Sequence, residues 1–440
     1  MPGDQPRVVD RRVPPGWQAE PVSHDIDVRP VPTVWAGHRT YASRALLAPT
    51  SLDQLASLVT SGERVRAIGS RHSFTDLADS PGVLVTLEGL ERAPVLDPAA
   101  GTVTVTAHTT YGTLGPWLHD RGFALAALAS LPHISVVGAV TTATHGSGDA
   151  VTTLAGAVVA LEILGADGDV RRVDRDHPAF AGSVVTLGSL GIVTSVTLAV
   201  EPTYDVAQTV IDDVDLSAVV ENLGDVHASA TSVSVFTRWD GRASIWRKHR
   251  TDVAPERDLS GLGGHPADGQ RHPIPGVDGA ACTPQLGEVG PWFARLPHFR
   301  LEFTPSAGEE LQSEHLVPQA LAPRAVAAAR EVLERHRDLV LVSELRSMAA
   351  DNLWLSSAYE RPGVGIHTTW VQDETRVRAA AAELEAVLEP YEFRPHWGKV
   401  FATSELARRY PRWDDAVALV RESDPRGVFA GPFTERIGLR

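Results

Sequence analysis

The chain reads as an α+β protein of two domains, and three observations carry that reading. At 440 residues it is too long for one typical core. Short β-branched runs separated by Gly-rich turns recur through the first 200 or so residues. After Pro202 the character changes, and strand-like stretches mix with two long amphipathic helices, as in a domain built on an antiparallel sheet.

Each element follows from its local pattern. Residues 1–30 are rich in Pro, Arg and Asp, lack periodicity and read as a loose arm. Pro49 and Ser51 then set up a helix with Leu52, Leu55, Ala56, Leu58 and Val59 on or near one face. "RVRAIG" is a strand that ends at Gly69 and is followed by a small-residue loop carrying His72. A further strand, "GVLVTLEGL", comes next, and "GTVTVTAHTTYG" alternates with period two before a helix over 114–121. "VVALEILGADGDVRRV" is two strands around an Asp167-Gly168 turn, and "VVTLGSLGIVTSVTLAVEP" closes the first domain. Beyond it, "VSVFTRWDGRASIWRK" is a hairpin around Asp240-Gly241. Residues 259–290, dense in Gly, Pro and Asp, read as a long surface loop. "APRAVAAAREVLERHRD" and "DETRVRAAAAELEAVLEPY" are the two helices, with the strand "DLVLVSELRSM" between them.

Composition removes several function classes. The formal charge is −15, from 40 basic and 55 acidic residues, and no Lys/Arg cluster offers a nucleic-acid surface. Cys282 is the only cysteine, which excludes an intrachain disulfide and a Cys-based zinc site. The 17 histidines include no H-x-H or H-E-x-x-H pair, so no metal is expected. Arg11 and Arg12 are followed by Pro14 and Pro15 rather than an apolar export stretch. No run approaches the roughly 18 apolar residues of a membrane span. A cytoplasmic protein without a membrane partner is the expectation.

Chemistry concentrates in a few segments. Gly69 to Ser73 and the small-residue stretch "SLPHISVVGAVTTATHGSGD" leave the backbone nearly bare. Consecutive bare N–H groups form concave anion sites, so the two together fit a pyrophosphate cradle; tight turns in a Gly-rich chain are the plainer alternative. His72 is either a turn histidine or a functional one. In "LVLVSELRSM" the strand period puts Val340, Val342, Glu344 and Arg346 on one face. That is a salt-bridged strand end, or part of a pocket. In "GVGIHTTWVQD" His367 and Thr369 share a face, with Thr368 and Trp370 opposite. "RPHWGKVF" brings His396, Trp397 and Lys399 together. Paired polar groups from three segments are what a polyhydroxylated ligand needs, since each hydroxyl donates and accepts.

"GSRHSF", "SLPHISVVGAVTTATHGSG", "LGSLGIVTSVTL", "SELR" and "PHWGKVF", in this order, resemble the aldonolactone/alditol oxidase branch of the vanillyl-alcohol-oxidase/p-cresol-methylhydroxylase type of FAD flavoproteins. The resemblance implies a FAD-binding domain over 31–203, a substrate domain over 204–398 and a C-terminal return to the first domain over 399–440. It implies FAD attached covalently through His72 and held by Ala67, Ile68, Gly69, Ser70, Arg71 and Ser73. Ser135, Gly138, Thr142, Ala143, Thr144, His145 and Val193 would line the cofactor, with His396 near its ring. Ser130, Glu344, Arg346, Thr369 and Lys399 would surround the substrate. Arg346 and Lys399 would stabilise negative charge, His367 would accept the hydroxyl proton, and Glu344 would fix a neighbouring hydroxyl. The implied reaction is oxidation of the terminal alcohol of an alditol such as xylitol or sorbitol by hydride transfer to flavin N5, with O2 reduced to H2O2. An aldonolactone oxidase or dehydrogenase is the alternative. The implied partners are a small polyol and O2, acting on a monomer.

Overall fold

The structure is a computed structural model that describes residues 26–254, 256–303 and 309–440. Most of the expected N-terminal arm lies outside them. Its last residues are not loose, because Asp27–Arg29 pairs antiparallel with Leu46–Ala48. That pair edges a four-stranded sheet in which Leu46–Ala48 and Val65–Ile68 both run parallel to Val83–Thr86. The helix Leu52–Thr60 begins where Ser51 Oγ accepts from the Gln54 N–H. It buries Leu55, Leu58 and Val59 against Val65, Val83 and Val85. Val428 and Phe429 join the same core, and the Val65 N–H donates to the Val428 carbonyl.

A second, antiparallel sheet carries Val95–Asp97, Thr102–Thr106, Ile192–Ala199, Val158–Leu164 and Val170–Asp174 in that order. Its Asp167-Gly168 turn needs glycine, which sits at φ +88°. Between the sheets the stretch read as a glycine-rich loop contains a short helix, Val136–Thr141, with Ser135 at its start. The small residues that bare the backbone there also let this helix pack closely.

The third sheet has nine strands, and its named pairs are antiparallel. At its centre Ser232–Thr237, Val340–Met348, Gly363–Trp370 and Leu311–Pro318 lie side by side. One face is covered by the helices Ala322–Arg335 and Glu374–Leu388, which bury Val326, Leu333, Val377 and Leu384 against Leu345, Ile366 and Trp370. The other face forms a wall of the cavity described below. Val340 departs from the expected face. A bulge between Val340 and Val342 turns Val340 into the helix-covered core, whereas Val342 packs with Phe236, Trp246 and Ile274.

The segment 259–290 is not a surface loop throughout. Ile274, Cys282, Thr283 and Gln285 are buried in it. The Gln285 side chain accepts from the Arg271 N–H and donates to the Arg271 carbonyl, satisfying backbone groups that a buried loop would otherwise strand. No helix among the described residues is long and apolar enough to cross a membrane.

Candidate active site

Two loops meet at one end of the cavity because the first carries glycine, Gly69, where it touches Ser135 of the second. A Cβ on Gly69 would collide with Ser135 Oγ, and one on Gly138 would lie 2.7 Å from it. The loops are tied by the Ser135 N–H, which donates to Ser70 Oγ at 3.1 Å. Arg71 takes a left-handed φ of 63°, and its carbonyl accepts from the Trp35 N–H at 2.9 Å. His72 follows it into the cavity and stacks on the Trp35 ring at 5.0 Å between centroids. Burial pushes the His72 imidazole down to about 4, so it is neutral at physiological pH. Both its ring nitrogens are buried, and neither has a hydrogen-bond partner among the described residues.

Ala67, Gly69, Ser70, Arg71, His72 and Ser73 line this cavity, and Ser135, Gly138, Thr142, Thr144 and His145 face them. Ile68 and Val193 line a smaller cleft instead, which shares Ala67, Gly69, Ser135 and Gly138 with the first. Ala143, at φ 53°, is buried in the hydrophobic core and does not line the cavity.

The opposite end is built on the nine-stranded sheet. Strand alternation sends Val342, Glu344 and Arg346 to the cavity, together with His367 and Thr369. Ser343 and Thr368 bond to each other on the far face. Register places Glu344 opposite His367, and His367 opposite Glu314. Glu314 was not singled out by the sequence, yet it is the hub. Arg346 donates to Glu314 Oε1 and Oε2 at 3.0 Å each through Nη2. Lys399 Nζ donates to Oε2 at 2.7 Å, and His145 Nε2 lies 3.2 Å from Oε1. Burial would raise the Glu314 carboxyl, but Arg346 and Lys399 outweigh it and hold the group well below the usual range. Glu344 is likewise held down, against burial, by Arg346 and His298. Its Oε1 accepts from His298 Nε2 at 3.0 Å. Arg346 Nη1 reaches Ser130 Oγ at 3.2 Å.

Two carboxylates and two cations therefore sit in balance around neutral histidines. Burial, aided by the Lys399 charge, pushes both His367 and His396 well below the ordinary value. Lys399 itself is lowered by burial, with Glu314 opposing. Its Nζ lies 2.9 Å from His367 Nδ1, and His367 Nε2 lies 3.1 Å from Thr369 Oγ1. An ammonium only donates, so a charged Lys399 makes Nδ1 the acceptor and leaves the ring hydrogen on Nε2. His367 can then take up a proton through Nε2 only when Lys399 is the free amine. His396 Nδ1 accepts from the Gly398 N–H at 3.1 Å, which orients its ring. His145, Glu314 and His396 offer ligand atoms within 4.8 Å of one another, but a metal cation there would face both Arg346 and Lys399.

The signal for Glu314 was present but masked. "LQSEHLVP" carries polar residues on both faces, because His315 on the far side bonds Glu385 at 3.1 Å. The strand Leu311–Pro318 thus shows no alternation to the eye. Phe236 and Ile274, also unforeseen, line the cavity as apolar groups.

Known proteins resemble both halves of the chain. The family model described as FAD binding domain matches residues 43–174. The model described as D-arabinono-1,4-lactone oxidase matches residues 309–437. An alditol oxidase from a Streptomyces species is 40% identical over 91% of this chain and 97% of its own. The chain belongs to the alditol and aldonolactone oxidase family. Another member of that family, an L-gulono-1,4-lactone dehydrogenase from Mycobacterium tuberculosis, is 28% identical over 93% of this chain and 99% of its own. The fold is that of the vanillyl-alcohol-oxidase-type flavoproteins. A solvent-stable cholesterol oxidase superposes with a TM-score of 0.79 at 15% identity, covering 96% of this chain and all of that one. As a member of the alditol and aldonolactone oxidase family, the protein is a FAD-dependent oxidoreductase. The cavity-lining Gly69–Ser73 loop and the unpartnered His72 fit a bound flavin nucleotide.

Proposed function

We propose that the protein oxidises the terminal primary alcohol of an alditol, such as xylitol or sorbitol, to the aldose, with O2 as final acceptor and FAD held covalently through His72. The observation that carries this reading is the convergence of Ser130, Glu344, Arg346, Thr369 and Lys399 on the cavity that also holds His72. Bound FAD supplies the hydride acceptor and, with O2, the route to hydrogen peroxide. His72 is its attachment point, neutral and with a free lone pair.

The chain's own residues bind, orient and move a proton. Glu344, ionised, accepts from the polyol hydroxyls, while Ser130 and Thr369 both donate and accept. In the active state Lys399 is the free amine and accepts from the His367 Nδ1–H. As the C1 hydroxyl loses its proton to His367 Nε2, the Nδ1 proton passes to Lys399 Nζ. A cation thus appears beside Glu314 at the moment negative charge develops on the C1 oxygen, and Arg346 adds its own charge. Phe236, Ile274 and Val342 keep this end of the cavity apolar on one side.

The higher identity to an alditol oxidase supports an alditol over a lactone. The lactone-oxidase match over residues 309–437 favours the second reading, an aldonolactone oxidase or dehydrogenase. An absorption spectrum before and after acid precipitation, followed by xylitol in air with L-gulono-1,4-lactone in parallel, tests both. Yellow colour in the pellet and peroxide with xylitol are expected. Colour in the pellet with turnover of the lactone alone would transfer the assignment, and colour released by acid would overturn the covalent link.

A further inference from the structure

Glu344 is backed by buried polar groups that the reaction above does not use. Lys248, on the strand Arg242–Arg250, is 1% exposed, and His298 is 5% exposed. Lysine rarely enters an interior without a task, because its ammonium loses its hydration. Lys248 Nζ donates to the Leu296 carbonyl and lies 2.9 Å from His298 Nδ1. His298 Nε2 lies 3.0 Å from Glu344 Oε1. The His298 N–H donates to the Ser130 carbonyl at 3.0 Å, so one residue braces two of the groups assigned to the substrate.

The protonation pattern follows from donor counting. Glu344 is ionised and can only accept, so His298 Nε2 must carry a hydrogen. Burial, with the Lys248 charge, pushes His298 down to about 4, so the ring is neutral and Nδ1 must accept. Lys248 supplies that donor. Glu344 Oε1 is then committed to His298, and Oε2, 3.7 Å from Arg346 Nη1, is left for a ligand. The same order recurs across the cavity in Lys399, His367 and Thr369.

We propose that Lys248 and His298 are positioning residues for polyol binding: Lys248 holds His298 in its Nε2–H form, and His298 fixes the Glu344 carboxylate in the orientation that receives substrate hydroxyls. The proposal rests on the reading that Glu344 binds the polyol. Without the brace, a buried carboxylate loses a charge-assisted bond and its fixed rotamer, and the penalty falls on binding.

The test uses flavin-loaded protein and steady-state oxidation of xylitol. Lys248→Met and His298→Leu should each raise KM about tenfold to a hundredfold, the worth of a hydrogen bond to a charged group, while kcat falls much less. His298→Gln, which restores an N–H donor, should recover most of the loss. In a Glu344→Gln background neither change should add a further increment. A raised KM in Glu344→Gln with none in His298→Leu would sink this proposal alone. An unchanged KM in Glu344→Gln would sink the reading beneath it, and the proposal with it. Should the variants fail to fold, nitrogen-15 histidine spectra of the unaltered protein decide. A protonated Nε2 and a bare Nδ1 at His298 support the brace, and the reverse pattern overturns it.

Discussion

His72, half-buried with both ring nitrogens sealed, and His367, buried, line the same cavity, yet neither nitrogen of the first has a partner among the described residues and both nitrogens of the second do. The contrast extends to their surroundings. Around His72 the chain offers glycine backbone and an idle imidazole, a surface that gains by receiving a ligand. Around His367 the charges are matched: Glu314 by Arg346 and Lys399, and Glu344 by Arg346, with neutral His298 adding a hydrogen bond. A matched cluster gains little from a ligand that merely binds, but it responds strongly when charge or a proton moves within it.

The largest effect is expected at Glu314. Glu314→Gln leaves Arg346 and Lys399 buried without their shared counter-charge, and urea unfolding should show a loss of about 3–5 kcal/mol. An unchanged midpoint would mean that the cations are compensated elsewhere. Next, Lys399→Met and Arg346→Ala should fold and keep flavin while kcat falls about 100- to 1,000-fold, as when a donor to developing negative charge is removed. Near-normal turnover in either would end the charge-stabilising role.

The pH profile of turnover reports on the same Lys399–His367 pair. Burial lowers Lys399 against the pull of Glu314, and in the proposed reaction the active form of the Lys399–His367 pair has one proton fewer. kcat/KM should therefore rise with pH as the pair deprotonates, and fall on the acid side. Glu314 and Glu344 are held ionised well below that range, and Arg346 is raised beyond it by both carboxylates despite burial. None of the three should contribute a limb. A profile falling through the same region would invert the assignment. The smallest stability effect is expected at the other end. His72→Ala removes no hydrogen bond and should shift unfolding by about 1 kcal/mol or less, while acid precipitation strips the flavin from the protein. Flavin kept in the pellet would place the tether elsewhere.

Much of this was legible in the sequence where one signal acted alone. The two amphipathic helices, the Asp167-Gly168 and Asp240-Gly241 turns, and the strand carrying Glu344 and Arg346 are local patterns, and they appear as read. Legibility failed where two demands overlapped on one segment. The strand Asp205–Asp215 ends in acidic residues, and Leu311–Pro318 is polar on both faces, so neither shows alternation. The bulge at Val340 is invisible because its cause is the fit to the neighbouring strand. Residues 259–290 look like a surface loop, because much of their backbone is satisfied by the Gln270 and Gln285 side chains rather than by a ladder.

By itself, then, the sequence determined which residue types could serve a flavin and a polyol, because glycine loops, a loop histidine and polar strand faces are properties of short segments. The tertiary structure decided which of them act together. Glu314 becomes the hub only when Leu311–Pro318 lies beside Gly363–Trp370, and Lys248 reaches Glu344 only through His298, 50 residues further along the chain. Contacts between groups so far apart depend on sheet register and burial, and no local pattern encodes either.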